Sequence, residues 1–342
     1  MLMLAGLMGM MVLGSVVLVS DDGLTDREPP EGKDDEEEAT RPDGADALSV
    51  IVNKDGTDAI EPSTDGTSIL DQFIRTEPAA YANEGSADAN VIDGNDADRM
   101  MNGFAGHHMI DGTDGEDQIR GKGGDDTLNG GDGDDTLYGG DENDVLHGGT
   151  GADDLYGNDG ADIIFGEQGA DSVNGGLGND TLDGGSGNDA LHGRHDDDRI
   201  TGGEGEDTLF GGWGDDTLDG RDDQRDYLNG GDGDDHIRAG ADDIASGGEG
   251  ADSFYFSQIE TGQDAAQLMD FDPAEDMLVV LYGDDAADVD PDIQIEPDEK
   301  DASQVNLTVN GVVVARMNSD DAPSVTQVVL MSEASANSLF GT

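Results

Sequence analysis

From Gly112 to Asp219 the chain repeats itself every nine residues, twelve times without a slip. That period is the strongest constraint on its fold. A nine-residue unit is too short to bury a core alone, so neighbouring units must stack and share one, as in solenoids. The sixth position is Asp in all twelve units: Asp117, Asp126, Asp135, Asp144, Asp153, Asp162, Asp171, Asp180, Asp189, Asp198, Asp207 and Asp216. The eighth is always aliphatic, from Ile119 to Leu218. One apolar residue between two mostly polar ones reads as a three-residue strand with one buried face. Glycine leads every unit and holds the fourth position in ten of twelve, supplying the left-handed or crowded backbone a tight loop needs.

If two units make one coil, residues eighteen apart stack. Leu128, Leu146, Ile164, Leu182, Ile200 and Leu218 then line one sheet, and Ile119, Leu137, Leu155, Val173, Leu191 and Leu209 line the other. The core between them is one side chain thick per strand. It buries little apolar area against a backbone entropy cost of roughly 1 to 2 kcal/mol per residue, so another interaction must hold the turns. Evenly spaced carboxylates imply an evenly spaced cation. Loops of Asp and Gly offer carboxylate and carbonyl oxygens, the donors that Ca²⁺ takes six to eight at a time.

Units such as GGDGDDTLY (Gly130 to Tyr138), GGLGNDTLD (Gly175 to Asp183) and GGWGDDTLD (Gly211 to Asp219) resemble the RTX (repeats-in-toxin) nonapeptide. The resemblance implies an all-β fold, a parallel β-roll (β-solenoid), with calcium between successive loops. Sixth-position Asp side chains and loop carbonyls would hold each ion, Asp117 with Asp135 and Asp126 with Asp144, for example. A stack of twelve loops then offers about ten inter-loop sites. Generic acidic disorder is the competing reading of such a composition, but it does not account for the strict phase.

The array has ragged ends. Gly85 to Asp93, Gly94 to Asn102 and Gly103 to Asp111 keep the leading Gly and an apolar eighth residue, but place Asn90, Arg99 and His108 where Asp belongs. These degenerate units, residues 85 to 111, are expected to be ion-free capping coils. Beyond Asp219 one unit, Gly220 to Asn229, is a residue too long, and another, Ala239 to Ser246, a residue too short. We expect one bulged loop near Arg221 to Arg225, with stacking continued through Asp226, Asp235 and Asp252 as further metal ligands, so that the roll spans 112 to 255. Glu142 and Asp196 replace loop glycines, and those loops are expected to bind weakly.

Phe254 to Leu281 resembles the segment that follows RTX repeats in serralysin-type secreted proteins. A β-rich C-terminal cap, a secretion-related segment, is expected over 256 to 342, with a hairpin at Asn310-Gly311 between alternating apolar residues. Met1 to Ser20 is apolar and uncharged, long enough to span a bilayer. Residues 21 to 46 read as a disordered acidic linker, and 47 to 84 carry no clear assignment.

Net charge is −66, from 81 acidic and 15 basic side chains, and there is no cysteine. Nucleic acid and anionic lipid are therefore poor partners, cations are natural ones, and disulfides are excluded. Extracellular calcium modules bind at about 10⁻⁴ to 10⁻³ M, so the chain is expected to fold only after export. The sequence contains no H-E-x-x-H and no G-x-S-x-G, which argues against an enzyme. The expected function is that of a calcium-binding RTX-type protein, secreted or displayed at the cell surface as a rigid acidic rod. The alternative is a structural, self-assembling calcium-loaded coat or adhesin component, and more remotely an enzyme remnant. Export by N-terminal membrane anchor, cleaved signal or C-terminally directed secretion machinery stays open, as does any protein or glycan partner. An outward aromatic row, Tyr138 with Tyr156 and Phe210 further along, reads mainly as a ladder supporting the sheet.

Overall fold

The computed structural model describes residues 82–84, 91–94, 99–257, 263–283 and 291–341. The expected apolar segment (1–20), the linker (21–46), nearly all of 47–84 and Asn90 lie outside these.

Among the described residues two sheets face each other, one of 14 strands and one of 12; through Met277–Tyr282 successive strands go to alternate sheets, and the next three, Ile293–Pro297, Gln304–Val309 and Val312–Asn318, all join the 14-stranded one. Pairing is parallel at an eighteen-residue offset. Leu128 lies beside Leu146, Leu146 beside Ile164 and Ile164 beside Leu182 in the 12-stranded sheet. Ile119, Leu137, Leu155 and Val173 follow one another in the 14-stranded sheet. Every eighth-position residue from Ile119 to Leu218 is buried in one continuous core cluster. The fold is thus the expected all-β parallel β-solenoid.

The strands are longer than expected. Most run six residues, as in Thr127–Asp132 and Thr136–Asp141, because pairing resumes beyond the leading glycine: Gly131 aligns with Gly149 as well as Leu128 with Leu146. The apolar triplet is only the first half of each strand. Glycine's two roles also separate. The second and fourth positions are left-handed, at φ 112° in Gly131 and 148° in Gly133, whereas the first position is crowded: a Cβ on Gly130 would collide with the Asp135 carboxylate and the Gly148 carbonyl.

The degenerate units stack as coils. Val91–Asp93 pairs with Met109–Asp114, and Met100–Ala105 with Gln118–Gly123, burying Ile92, Met101 and Ile110. Past the array, strand Thr217–Asp219 stops after three residues and the chain bulges before Tyr227–Asp232. Thr208 then pairs with Tyr227, nineteen residues on, and Tyr227 with Ile244, only seventeen on. Insertion and deletion cancel over two coils, and an Arg225–Asp242 ion pair ties the long loop to the short turn.

The C-terminal strands extend the same two sheets. Met277–Tyr282 pairs in parallel with Ser253–Phe256, and Ala266–Leu268 with Ile244–Glu249. The hairpin Gln304–Val309/Val312–Asn318 turns at Asn310 (φ 53°) and Gly311 (φ 79°), the two left-handed residues of a type I′ turn. The continuous apolar run in Met277–Tyr282 is buried on both faces. Leu278 and Val280 join the core, while Val279 and Leu281 lie under a helix, Glu333–Phe340, with Ala336 and Phe340. That helix was not expected from the sequence. It is capped by Ser332 and closed by Gly341 at φ 78°. No helix among the described residues is long and apolar enough to cross a membrane.

Candidate metal centre

Each sixth-position Asp follows the turn and precedes the strand, where the chain re-enters the stack, and its side chain turns inward. All fifteen sequence-expected ligands, the twelve of the array with Asp226, Asp235 and Asp252, are at most 3% exposed. They form two columns. In one, the backbone N–H of Asp117 donates to Asp135 Oδ1, that of Asp135 to Asp153 Oδ1, and so on through Asp171, Asp189, Asp207 and Asp226, at 2.7 to 2.9 Å. In the other, Asp126, Asp144, Asp162, Asp180, Asp198, Asp216, Asp235 and Asp252 are linked in the same way at 2.8 to 2.9 Å. One carboxylate oxygen of each ladder Asp, one per nine-residue loop, is thereby spent on its neighbour's backbone.

Two ladder members escaped the sequence reading. Asp226 N–H donates to Asp243 Oδ1 at 3.0 Å, and Asp252 N–H to Asp276 Oδ1 at 3.0 Å. The one-residue deletion hid Asp243 from the nonapeptide phase, and Asp276 follows a long connection. Both keep an Asp-x-aliphatic triplet, Asp243-Ile244-Ala245 and Asp276-Met277-Leu278, and that shorter pattern would have found them. A second, exposed ladder was also missed. Fifth-position side chains accept from the next coil's backbone: Asp134 from Ala152, Asn143 from Ala161, Asp215 from Asp234. At the N-terminal end His108 takes an Asp position, with its N–H at 2.6 Å and its ring Nδ1 at 2.9 Å from Asp126 Oδ1.

The other oxygen of the ladder decides what the loops can hold. Oδ2 of Asp126, Asp135, Asp144, Asp153, Asp162, Asp171, Asp180, Asp189, Asp198, Asp207, Asp216, Asp226 and Asp235 is buried without a hydrogen-bond partner. A buried carboxylate oxygen left this way costs more than a hydrogen bond returns. Beside most leading glycines of the array, the space a Cβ would fill is approached both by that Oδ2 and by the leading-glycine carbonyl of the next coil in the same sheet, as by Asp162 Oδ2 and Gly175 O next to Gly157. No three His, Asp or Glu side chains converge among the described residues. The donors on offer are one carboxylate per loop and backbone carbonyls, all hard oxygen, which fits Ca²⁺ and not a thiolate- or imidazole-seeking metal.

Electrostatics point the same way. Burial pushes Asp135, Asp162, Asp216 and Asp252 up to about 6, Asp153, Asp180, Asp189 and Asp243 to about 7, Asp144, Asp198 and Asp235 to about 8, and Asp226 to about 9. The donated N–H bonds pull each value down, and for most the neighbouring carboxylates raise it again. Charge is concentrated where water is excluded, and it requires either protons or a cation.

A parallel roll whose turns carry a buried Asp and carbonyl ladder belongs to the class of calcium-binding β-solenoids. The family model for the RTX calcium-binding nonapeptide repeat matches six overlapping stretches, 111–146, 138–173, 147–182, 165–195, 192–225 and 221–254. Residues 111–254 are RTX repeats, and RTX repeats bind Ca²⁺. A similar solved structure is the solution structure of a subunit of the Azotobacter vinelandii mannuronan C5-epimerase, with 25% identity over 43% of this chain and 80% of that one, at a TM-score of 0.27. No curated protein matches the chain.

Proposed function

We propose that this is a secreted or surface-displayed protein whose roll folds when several Ca²⁺ ions bind outside the cell, with the fifteen expected aspartates as ligands; Asp243 and Asp276 continue the ladder, but their Oδ2 atoms already accept the backbone N–H of Gly240 and Asp272. The reading rests on the buried, unpartnered Oδ2 atoms repeated coil after coil. Bound between coils, Ca²⁺ supplies the positive charge that burial denies the ladder. Each Asp meanwhile ties its coil to the preceding one through Oδ1, so ordering one loop prepares the ligand of the next. Extracellular free calcium matches the affinity usual for such modules, about 10⁻⁴ to 10⁻³ M, and cytosolic calcium does not. Coupling of folding to ion binding then acts as a check on location. No catalytic role is proposed for the ladder.

Far-UV circular dichroism of the full chain in chelator and in millimolar Ca²⁺ tests this. Appearance of β signal only with calcium supports it, and a compact β-rich state in chelator at pH 7.5 refutes it.

A further inference from the structure

Strands Ala190–His195 and Thr208–Trp213 lie side by side in the 14-stranded sheet, with His192 next to Phe210, Arg194 next to Gly212 and His195 next to Trp213. His192 stacks on Phe210 at 4.8 Å and 12°, and the His195 ring lies 4.4 Å from the indole of Trp213, tilted by 55°. Between them opens a cleft of about 280 Å³ lined by His192, Arg194, His195, Gly212 and Trp213. Gly212 keeps its floor clear. The indole is 56% exposed, and Arg194 forms no ion pair or hydrogen bond among the described residues. An unpaired guanidinium is unexpected on a chain with 81 carboxylates.

We propose that this cleft binds a single hexuronic acid residue borne on an otherwise uncharged glycan, with the apolar face of the sugar on Trp213 and its carboxylate on Arg194. The planar guanidinium presents paired donors that match a carboxylate. An exposed indole offers a flat apolar face to the C–H side of a pyranose. Burial, and then Arg194, hold the His192 imidazole below its ordinary value, so it stays neutral and offers one donor and one acceptor to hydroxyls. Charge selects among ring ligands. Asp232 is in register with Trp213 on the next strand, so a ligand with several negative groups is opposed, while one with a single carboxylate and many hydroxyls is not. Nothing in the roll's packing requires either side chain. Arg194 occupies a left-handed position (φ 90°) where the adjoining strands carry Gly176 and Gly212, and Trp213 stands at a variable loop position.

The proposal needs a folded roll but no particular assignment of calcium ligands. Titrations are therefore done on the full chain in millimolar Ca²⁺, with circular dichroism confirming the fold of each variant. Binding of methyl β-D-glucuronide, methyl β-D-glucoside and adenosine monophosphate is followed by ligand-observed NMR. The glucuronide is expected to bind at least about tenfold tighter than the glucoside. Arg194→Gly, which relieves backbone strain, should erase that preference, Arg194→Lys should keep part of it, and Trp213→Ala should weaken both sugars by about tenfold or more. Equal binding of the two sugars, tighter binding of the nucleotide, no binding at all, or an unchanged affinity in Arg194→Gly or Trp213→Ala would each overturn it.

Discussion

Asp162 touches three coils: its Oδ1 receives the N–H of Asp144, its own N–H goes to Asp180, and its Oδ2 is left over. Asp162→Ala is therefore expected to remove more than one bound calcium and to raise the calcium midpoint of folding several-fold, measured by calorimetric titration. Asp159→Ala, at the exposed third position of the same loop, should be mild. Equal losses would mean that bulk charge sets affinity. The ladder also fixes the sign of a pH effect. Burial raises its carboxyls from 3.8 in the folded state, those of Asp135, Asp144 and Asp226 for example to about 6, about 8 and about 9, so the folded state holds more protons than the unfolded one. In chelator, the stability this gives is present in acid and lost as pH rises through 6 to 9. The roll should thus show more β signal at pH 5 than at pH 8 without calcium, and calcium binding near pH 7 should release protons. Loss of β signal on acidification in chelator would contradict the buried ladder.

Among the elements, the loops with replaced glycines are instructive. Glu142 and Asp196 keep the left-handed backbone of the fourth position, at φ 79° and 70°. A side chain there costs about 1 kcal/mol. Glu142→Gly is expected to stabilise the calcium-loaded roll by about that amount in thermal denaturation, opposite to the usual effect of introducing glycine. In the core, Leu155 is fully buried between Leu137 and Val173, and Leu155→Ala should cost about 2 to 5 kcal/mol. The C-terminal helix covers the outer face of the 12-stranded sheet. Phe340 meets Tyr255 edge-on at 5.2 Å and lies 3.8 Å from the guanidinium of the fully buried Arg238, whose charge is answered by Asp219 at 3.3 Å. The contact of Phe340 with Arg238 joins residues more than a hundred apart in sequence, and no local pattern announces it.

For the molecule as a whole, the eighteen-residue ladder makes each coil the ligand partner of the next, so calcium-driven ordering should be steep. Trp213, the single tryptophan, lies in the array and reports it. Its fluorescence should change at the same calcium concentration as the circular dichroism, and Mg²⁺, which demands shorter octahedral contacts and keeps its water, should not substitute. A broad Trp213 response at a different calcium concentration from the circular dichroism would mean that the array breaks near Arg221 to Arg225. With calcium bound the surface remains strongly acidic, so the protein should stay monodisperse in light scattering, and ordered assemblies would favour a coat-forming role.

The sequence by itself determined the roll. A strict period of nine with Asp sixth and an aliphatic eighth fixes the eighteen-residue stacking, the two faces of the core and the identity of most ladder members, because in a solenoid each contact is a neighbour in the repeat. The Asn310-Gly311 hairpin was legible for the same reason, its turn being set by two adjacent residues. Contacts outside the repeat's phase were decided by the tertiary structure: Asp243 and Asp276 joining the ladder, the second half of every strand, the Arg225–Asp242 tie and the helix over Val279. The inward turn of each carboxylate was decided there too, since only the stacked coil puts an N–H opposite Oδ1 and leaves Oδ2 among carbonyls.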